Sequence, residues 1–537
     1  MKKMKGILAL ILAAILVCGL FAACAKQETP KQEEPTQQQT ATTPKEDPKK
    51  DEEPAKTEEP GKTDEPEKTD EPQTIDPDDV EELVMYYYDF RNKVDVSQHV
   101  EDAVNEILVP AIGVKLDIKW LGIGNWLNTF TLDMAGGEQL DIINIMPATT
   151  LEGMYSNNQL VDLTELVPEY APQTFELMKD YMGPFYVDGR LYGIPTNKNF
   201  RVDGYLVMNK EMLEEIGMLD EAKNCSSRSE YEAIAQKIKE YYNGEVYASE
   251  AGFTNPSWLP NGDSFADVRC NDFLGAQYYV ATDDDGHVSL LQGTDGYKQS
   301  IQMAKKWLDN GWLDPELATA ERTHATEMLK ARQGFSTNVT AEYGVEVAQG
   351  GNLGYEVVCP KFFDGVIRTN NVNSWGAGVT VNTVDEVLAV KTLEYIYNSS
   401  EVMNLLNWGV EGVDYELEDG LVKRIGDNPY FEHDAFFGNN LIMTPLAGNE
   451  PDFYQIAQKI NDESVKSPYL GFAIDPTGLD NVIANMSAVY DQYNGQLTSG
   501  YYTEELYQEY LNKLEVAGVN DYLAQIQDQL NSWLAAQ

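Results

Sequence analysis

The sequence predicts an α/β fold that contains a mainly parallel sheet and more than one hydrophobic core. Strand-like and helix-like apolar patterns alternate between residues 81 and 145, and parallel strands require such helical connections. The globular part after residue 80 has about 455 residues, which is too long for a single core. The end of the chain shows helical periodicity, so we also expect a helical C-terminal extension.

Residues 1–23 are typical of a secretory signal peptide. Three lysines within the first five residues precede an almost unbroken apolar run over residues 6–20. The segment 21–24, Phe-Ala-Ala-Cys, resembles the lipobox, which bacterial signal peptidase cuts before a cysteine that becomes acylated. We therefore expect Cys24 to carry a lipid such as palmitate that anchors the chain to the outer face of the bacterial cytoplasmic membrane. An uncleaved anchor helix is the alternative, although the run is short for spanning a bilayer.

Residues 24–80, which begin with the lipidated cysteine, are predicted to be a disordered tether. They consist mainly of Pro, Glu, Asp, Lys, Thr and Gln, and a Lys-Thr-acid-Glu-Pro motif starts at residues 56, 62 and 68. Such a stretch buries too little apolar surface to offset the entropy lost on ordering. Prolines and like charges keep it extended, so the tether would hold a folded domain away from the membrane.

The first folded stretch is predicted to read strand, helix, strand, helix, strand. In that order the predicted segments are 83–88, 100–108, 114–120, 125–134 and 141–145. Pro110 is expected to stop the first helix, and Gly137 the second. Ligands of parallel sheets gather at the carboxyl ends of the strands, so we expect Tyr88, Asp89 and the segment 144–150, which begins with Asn144, at a binding rim.

The ends of several later helices can be predicted from their capping residues. Ser227 with Glu230 and Thr383 with Glu386 have capping-box spacing, and the second of these helices should run to residue 398. Two further helices are expected at the C-terminus, over residues 503–517 and 521–535, with Gly518 between them.

Composition limits the partners and the chemistry. The chain has 39 basic and 88 acidic residues, a net charge of −49, and such a surface repels nucleic acid. The four histidines lack metal-ligand spacing, and there is no Cys-x-x-Cys pair and no Gly-x-Ser-x-Gly motif. We therefore expect no metal, no cofactor and no enzymatic activity. A bridge between Cys225 and Cys270 is conceivable, and buried free thiols are the alternative.

Aromatic side chains beside amides, acids and glycines are the best candidates for ligand contacts. They suit sugars, which combine apolar C–H faces with many hydroxyl groups. The alternative for each tryptophan is an ordinary place in the core. Besides Tyr88, Asp89 and Asn144, the candidate ligand-binding residues are Trp126, Asn197, Trp258, Trp375 and Trp408.

Several stretches resemble the extracellular solute-binding proteins of family 1, the maltose-binding-protein-like class. The Asp-Gly-Arg-Leu-Tyr-Gly-Ile-Pro segment is widespread in that class. The Trp-Gly-Val-Glu-Gly and Gly-Phe-Ala-Ile-Asp-Pro segments are more specific to its lipoprotein branch, which is common in Gram-positive bacteria. The matching stretches are residues 134–142, 187–195, 205–213, 400–415, 471–477 and 484–496.

The resemblance implies a two-lobed clamshell fold, like that of periplasmic binding proteins, with three crossings between the lobes. By position we expect the crossings near residues 196–204, 333–340 and 375–382. Lobe one would comprise 81–196 and 340–376. Lobe two would comprise 204–333 and 382–537, with the C-terminal helices packed against the body.

The resemblance also implies a function in import. The expected protein is a monomer that captures a carbohydrate and delivers it to the membrane permease of an ABC importer. Two alternatives stay open at this point. Because carboxylates are plentiful, one is a surface glycan hydrolase with a pair of catalytic acids. The other is an adhesion or sensor lipoprotein that binds glycan without import.

Overall fold

The computed structural model describes most of the chain from residue 80 onward. The described residues are 80–89, 97–249, 258–261, 263–266, 274, 280–283, 285–319, 324–426, 430, 437–475 and 477–537. The predicted signal peptide, Cys24 and the tether up to residue 79 therefore lie outside the described residues, as does Cys270.

The described strands have at most eight residues each. They are β1 (Glu81–Tyr88), β2 (Val114–Leu121), β3 (Ile142–Ile145), β4 (Tyr186–Val187), β5 (Arg190–Leu191), β6 (Ile194–Pro195), β7 (Asp203–Asn209), β8 (Tyr247–Ser249), β9 (Leu259–Asn261), β10 (Ser264–Ala266), β11 (Val280–Thr282), β12 (Val288–Leu290), β13 (Gly334–Ala341), β14 (Val357–Val358), β15 (Lys361–Phe363), β16 (Gly376–Val379), β17 (Tyr415–Glu418) and β18 (Leu421–Arg424).

The described helices have between five and 19 residues each. They are α1 (Gln98–Ile112), α2 (Ile123–Gly136), α3 (Leu151–Ser156), α4 (Leu166–Tyr170), α5 (Pro172–Met178), α6 (Lys210–Ile216), α7 (Leu219–Lys223), α8 (Arg228–Tyr241), α9 (Asp295–Asp309), α10 (His324–Lys330), α11 (Val345–Leu353), α12 (Thr369–Asn373), α13 (Glu386–Asn398), α14 (Ser400–Trp408), α15 (Phe453–Glu463), α16 (Asp480–Thr498), α17 (Glu504–Ala517) and α18 (Val519–Ala536).

Two of the predicted helix ends differ from the structure. Helix α1 continues through Pro110 and ends at Gly113, because proline in the last turn removes only one backbone hydrogen bond. The Thr383 capping box is wrong. Asp385 caps α13 by accepting from the Leu388 amide at 2.9 Å, whereas the Thr383 hydroxyl donates to Asp141. The capping box at Ser227 is confirmed.

The first sheet has the strand order β2-β1-β3-β16-β6. Strand β1 pairs in parallel with both β2 and β3, and α1 and α2 connect these strands as predicted. Strand β16 joins antiparallel to β3. The parallel strands end at one edge of the sheet, which places Tyr88 and Leu121 side by side in the register. This edge carries the predicted binding rim.

The second sheet has the order β14-β7-β13-β8, with β15 also paired to β7. Its central pair, β7 and β13, is antiparallel. A separate core lies against this sheet and includes Met212, Ile234 and Trp307. The described residues therefore form two five-stranded sheets with separate cores, as the length of the globular part requires.

The lobe boundaries differ from those expected. Strands β14 and β15 pair with β7, so residues 340–363 belong with the second sheet rather than with lobe one. Leu393, Met403 and Leu406 of α13 and α14 lie in the core of the first sheet. Residues 382–463 therefore belong to the first lobe. The sequence did not show this, because the position of an amphipathic helix in the chain does not say which sheet it covers. We define the first lobe as 80–195 and 376–463.

The last three helices build a third core with the β11–β12 hairpin. Tyr507, Tyr522 and Leu530 are among its buried residues. Helix α9 connects this core to the second lobe, because Tyr297 packs in the third core and Trp307 in the second. We call residues 468–537 the C-terminal unit, and we define the second lobe as 203–363 together with this unit.

Candidate functional site

Three chain segments connect the two lobes. They are the first crossing, 196–202 between β6 and β7, the second, 364–375 between β15 and β16, and the third, 464–468 after α15. The first lies where the sequence placed it. The other two expected positions coincide with β13 and β16, which are strands inside the two sheets.

The crossings are hydrogen-bonded to one another. The Thr196 amide donates to the carbonyl oxygen of Trp375 at 3.1 Å, which joins the first crossing to the second. The Ile367 amide donates to Val465 at 3.0 Å, which joins the second crossing to the third. The three segments thus form one hydrogen-bonded band between the lobes.

Asn197 holds the first crossing against the first lobe. Its side-chain amide donates to the Asn439 side-chain oxygen at 2.9 Å. Its backbone N–H donates to Gly438, and its carbonyl accepts from Asn440, each at 2.8 Å. The residue is 3% exposed. The structure therefore places this candidate among the residues that hold the first crossing in position.

A cavity of about 430 Å³ lies between the first lobe and the C-terminal unit, beside the second crossing. Its first-lobe wall is the stretch that follows β3, and its opposite wall comes from residues 472–474. The described lining residues are Met146, Pro147, Thr150, Glu152, Gly153, Ser156, Leu274, Thr369, Asn370, Asn373, Ser374, Phe472, Ala473 and Ile474. Hydroxyl, amide and apolar groups thus face a single space.

Three of the predicted aromatic residues lie together at the edge of the first sheet. The Tyr88 ring lies 6.0 Å from the rings of both Trp126 and Trp375, between centroids. Trp126 is fully buried, and its indole N–H donates to the Thr149 hydroxyl at 3.0 Å. Trp375 is only partly buried, and it follows Ser374 of the cavity wall. Of the three rings, Trp375 is thus the one that is not fully buried.

Asp89 and Asn144 lie at the same sheet edge but are buried. The Asn144 side-chain oxygen accepts from the Tyr88 amide at 3.3 Å, which fixes the end of β1. Asp89 is 2% exposed, and its backbone N–H donates to Leu121. The structure confirms their position at the carboxyl ends of the strands and gives Asn144 a contact that orients Tyr88.

Trp258 and Trp408 are buried in two different cores. The Trp258 ring packs against Phe362 and Phe363, with centroids 5.7 and 5.1 Å away. Trp408 is 1% exposed, and its indole N–H donates to the Thr444 carbonyl at 3.0 Å. Because both rings pack against the protein itself, we leave them out of the proposed site.

The predicted rim segment 144–150 contains three of the lining residues, Met146, Pro147 and Thr150, and the sequence also offered the Asn373 amide beside Trp375. Asn370 and Phe472 were not predicted. Thr150 caps α3 through its hydroxyl, which accepts from Gly153 at 3.1 Å. Asn370 and Asn373 lie on α12 within the second crossing. Phe472 belongs to the Gly-Phe-Ala-Ile-Asp-Pro segment, whose resemblance to the family could have singled it out.

Ion pairs link the crossings to the second lobe. The Asp203 carboxylate, 4% exposed, lies 2.8 Å from Arg201 and 3.5 Å from Lys361. It also accepts from the Gly365 amide at 2.8 Å. Burial, with the Asp203 charge nearby, holds the pKa of Tyr205 well above its usual value. Asp203 thus ties the starts of β7 and the second crossing together.

The described residues contain no group of three or more His, Cys, Asp or Glu side chains arranged to hold a metal ion. Cys225 and Cys359 are buried free thiols, and burial raises the pKa of Cys225 to about 12. Within the described part of the chain, no helix combines the length and apolar character needed to cross a bilayer.

Comparison with protein families gives two matches. The family model of the bacterial extracellular solute-binding proteins matches residues 116–409. A model of a domain of unknown function, DUF3502, matches residues 468–535, which cover most of the C-terminal unit.

Comparison with individual proteins gives relatives across the folded part. A carbohydrate ABC transporter substrate-binding protein of Streptococcus pneumoniae is 20% identical over 475 residues, 85% of this chain and 92% of the relative. The N-glycan transport solute-binding protein NgtS of the same species has a TM-score of 0.72 at 19% identity, over 84% of this chain and 99% of NgtS. Its complex with Man5GlcNAc gives 0.60 at 19% identity, over 85% and 99%. The two-lobed fold is thereby confirmed.

Proposed function

Because the chain belongs to the bacterial extracellular solute-binding proteins, we propose that it captures an oligosaccharide between its lobes and delivers it to an ABC importer permease. The observation that carries this proposal is the cavity beside the second crossing, whose lining includes the amides of Asn370 and Asn373 and the ring of Phe472. Trp375 follows the lining residue Ser374 in the chain. The names of its pneumococcal relatives, a carbohydrate importer subunit and an N-glycan binder, support the choice of ligand class.

The chemistry of the cavity suits a sugar. An aromatic face packs against the C–H face of a pyranose. The lining amide and hydroxyl groups of Asn373, Ser374 and Thr150 can bond its hydroxyl groups. The net charge of −49 disfavours polyanionic ligands. We therefore propose a neutral rather than an acidic oligosaccharide.

Capture would work by lobe closure about the hydrogen-bonded crossings. A ligand that contacts both lobes stabilises the closed form by the contacts it makes only there. Micromolar binding corresponds to about −8 kcal/mol, which one or two stacked rings and several hydrogen bonds supply. The permease would then bind the closed form, and a separate ATPase would drive import.

Lipidation of Cys24 would keep this monomeric receptor at the outer face of the membrane, with residues 24–80 as its tether. This placement accords with the extracellular character of the family. A glycan hydrolase is less well supported, because Glu152 is the sole carboxylate among the described cavity residues, whereas most glycosidases use two.

A thermal-shift panel tests the proposal. The tether-free protein, from residue 81, is heated with Man5GlcNAc, malto-oligosaccharides, acidic oligosaccharides and short peptides. A neutral oligosaccharide should raise the midpoint, since a ligand at a hundred times its Kd adds about 2.7 kcal/mol of stability. A rise with peptides alone would contradict the proposed ligand class, and release of shorter sugars on incubation would favour a hydrolase.

A further inference from the structure

The segment 471–475 belongs to the C-terminal unit and also forms one wall of the cavity. Phe472, Ala473 and Ile474 line the cavity, opposite the first-lobe residues that follow β3. Phe472 is 2% exposed and packs edge-on against Trp533 of α18, with ring centroids 5.9 Å apart. Ala473, in contrast, is exposed. The wall therefore consists of a surface strip whose inner side is fastened to the last helix.

Side chains hold this strip from both ends. At its start, the Thr369 hydroxyl of the second crossing donates to Tyr469 at 3.1 Å and accepts from the Gly471 amide at 3.0 Å. At its end, Gln529 of α18 accepts from the Asp475 amide at 2.9 Å and donates to the Asp475 carbonyl at 3.0 Å. A two-way bond of this kind fixes a backbone more firmly than a single contact.

Gln527 lies two residues earlier on the same helix. Its side-chain amide also makes a two-way hydrogen bond with a backbone, at a different place. It accepts from the Val288 amide and donates to the Gly286 carbonyl, each at 2.8 Å. These residues belong to the turn and second strand of the β11–β12 hairpin, and neither lines the cavity. The chain thus offers two matched clamps, one on the cavity wall and one on a hairpin.

We propose that the C-terminal unit is a recognition element: it forms the wall that sets which oligosaccharides fit the cavity, and Gln529 is the residue that positions this wall. The inference rests on the proposed function, since it concerns the ligand of the same cavity. It gives the domain of unknown function at residues 468–535 a role in ligand selection.

The first experiment fills the cavity from this wall. Ala473→Trp adds bulk at an exposed lining position, and Val516→Trp adds the same bulk at a C-terminal-unit residue that is 87% exposed and outside the lining. Titration with Man5GlcNAc and the smaller Man1GlcNAc should show at least a tenfold loss for Ala473→Trp. The larger glycan should lose more, so the ratio of the two affinities changes. Val516→Trp should leave both affinities unchanged, and equal effects of the two variants would overturn the proposal.

The second experiment tests positioning and needs no ligand. Gln529→Ala and Gln527→Ala each remove one two-way clamp, so similar losses of stability are expected. Hydrogen exchange of the Asp475 amide, which Gln529 holds, should speed up at least tenfold in Gln529→Ala only. Equal protection of this amide in both variants would refute the role of Gln529. If no sugar binds the wild-type protein, the proposed function fails by itself, and the exchange result still decides whether α18 holds the wall.

Discussion

The backbone N–H of Thr196 donates a hydrogen bond of 3.1 Å to the carbonyl oxygen of Trp375. This bond joins two of the three crossings at the residue whose indole lies against Tyr88 at the edge of the first sheet. The hydrogen-bonded crossings and Trp375, the candidate for ligand contact, are therefore connected through one stretch of backbone. A change of lobe angle must move the backbone that carries the Trp375 ring.

Trp375→Ala should weaken sugar binding with little effect on folding. A ring that stacks on a ligand at a cleft is worth ~1.4 kcal/mol or more, so the affinity should fall at least about tenfold. Trp408→Ala is the matched control, because that ring is 1% exposed and lies in the core. Its loss should cost ~3–5 kcal/mol of unfolding free energy. Calorimetric titration and urea denaturation of both variants check this, and unchanged affinity in Trp375→Ala would remove it from the site.

The tether-free domain should become more compact when its ligand saturates it. Rotation of two rigid lobes about the crossings brings them together without changing secondary structure. Small-angle X-ray scattering should show a smaller radius of gyration, while far-ultraviolet circular dichroism stays constant. Identical scattering curves with and without a saturating sugar would argue against lobe closure.

The stability of the first lobe should fall in alkali partly through Tyr181. Burial, followed by the charges of Asp462 and Asp180, raises the pKa of Tyr181 to about 12 from 10.0. Because the folded pKa is above the unfolded one, this contribution is fully present below pH 10 and is lost as the pH rises towards 12. Tyr181→Phe should therefore show a smaller drop in unfolding free energy between pH 9 and 11 than the wild type.

The control for this measurement is Tyr501→Phe, at a side chain that is 43% exposed. It removes a tyrosine hydroxyl far from the Tyr181 site and so measures the effect of the substitution alone. A Tyr181→Phe curve parallel to that of the wild type would show that ionisation of Tyr181 does not contribute.

Cys24→Ser should abolish lipidation, since acylation requires the thiol at the cleavage site. The variant is expected either in the medium or as an uncleaved precursor at the membrane. Metabolic labelling with a fatty-acid probe distinguishes these outcomes from the wild type. A Ser variant that still incorporates the probe would place the lipid elsewhere.

Elements defined by local sequence were predicted well. The alternation of side chains in 114–120 predicted β2, and Ser227 with Glu230 predicted the start of α8. Gly137 and Gly518 end α2 and α17 in the left-handed conformation, as glycine readily does. The Thr383 box failed because Asp385 lies nearer the helix start and caps it, while the Thr383 hydroxyl donates to the distant Asp141 carboxylate and accepts from the Asp385 amide. A capping motif depends on neighbours in space as well as in sequence.

The candidate site was predicted only in part. Tyr88, Asp89 and Asn144 were placed correctly at the sheet edge, because strand ends follow from local periodicity. Burial of Trp126, Trp258 and Trp408 depends on partners far away in the chain, such as Thr149, Phe363 and Thr444. Phe472 was overlooked because nothing nearby in the sequence shows that it faces residues such as Met146.

By itself the sequence determined the local elements, the tether composition, the acidic surface and the family resemblance. These properties depend on residues within a few positions of one another or on composition alone. Only the tertiary structure decided which lobe α13 and α14 join, which segments cross, and which distant parts of the chain enclose the cavity. The physical reason is that apolar faces of similar pattern can cover either sheet, and the choice depends on packing between residues that the chain order keeps far apart.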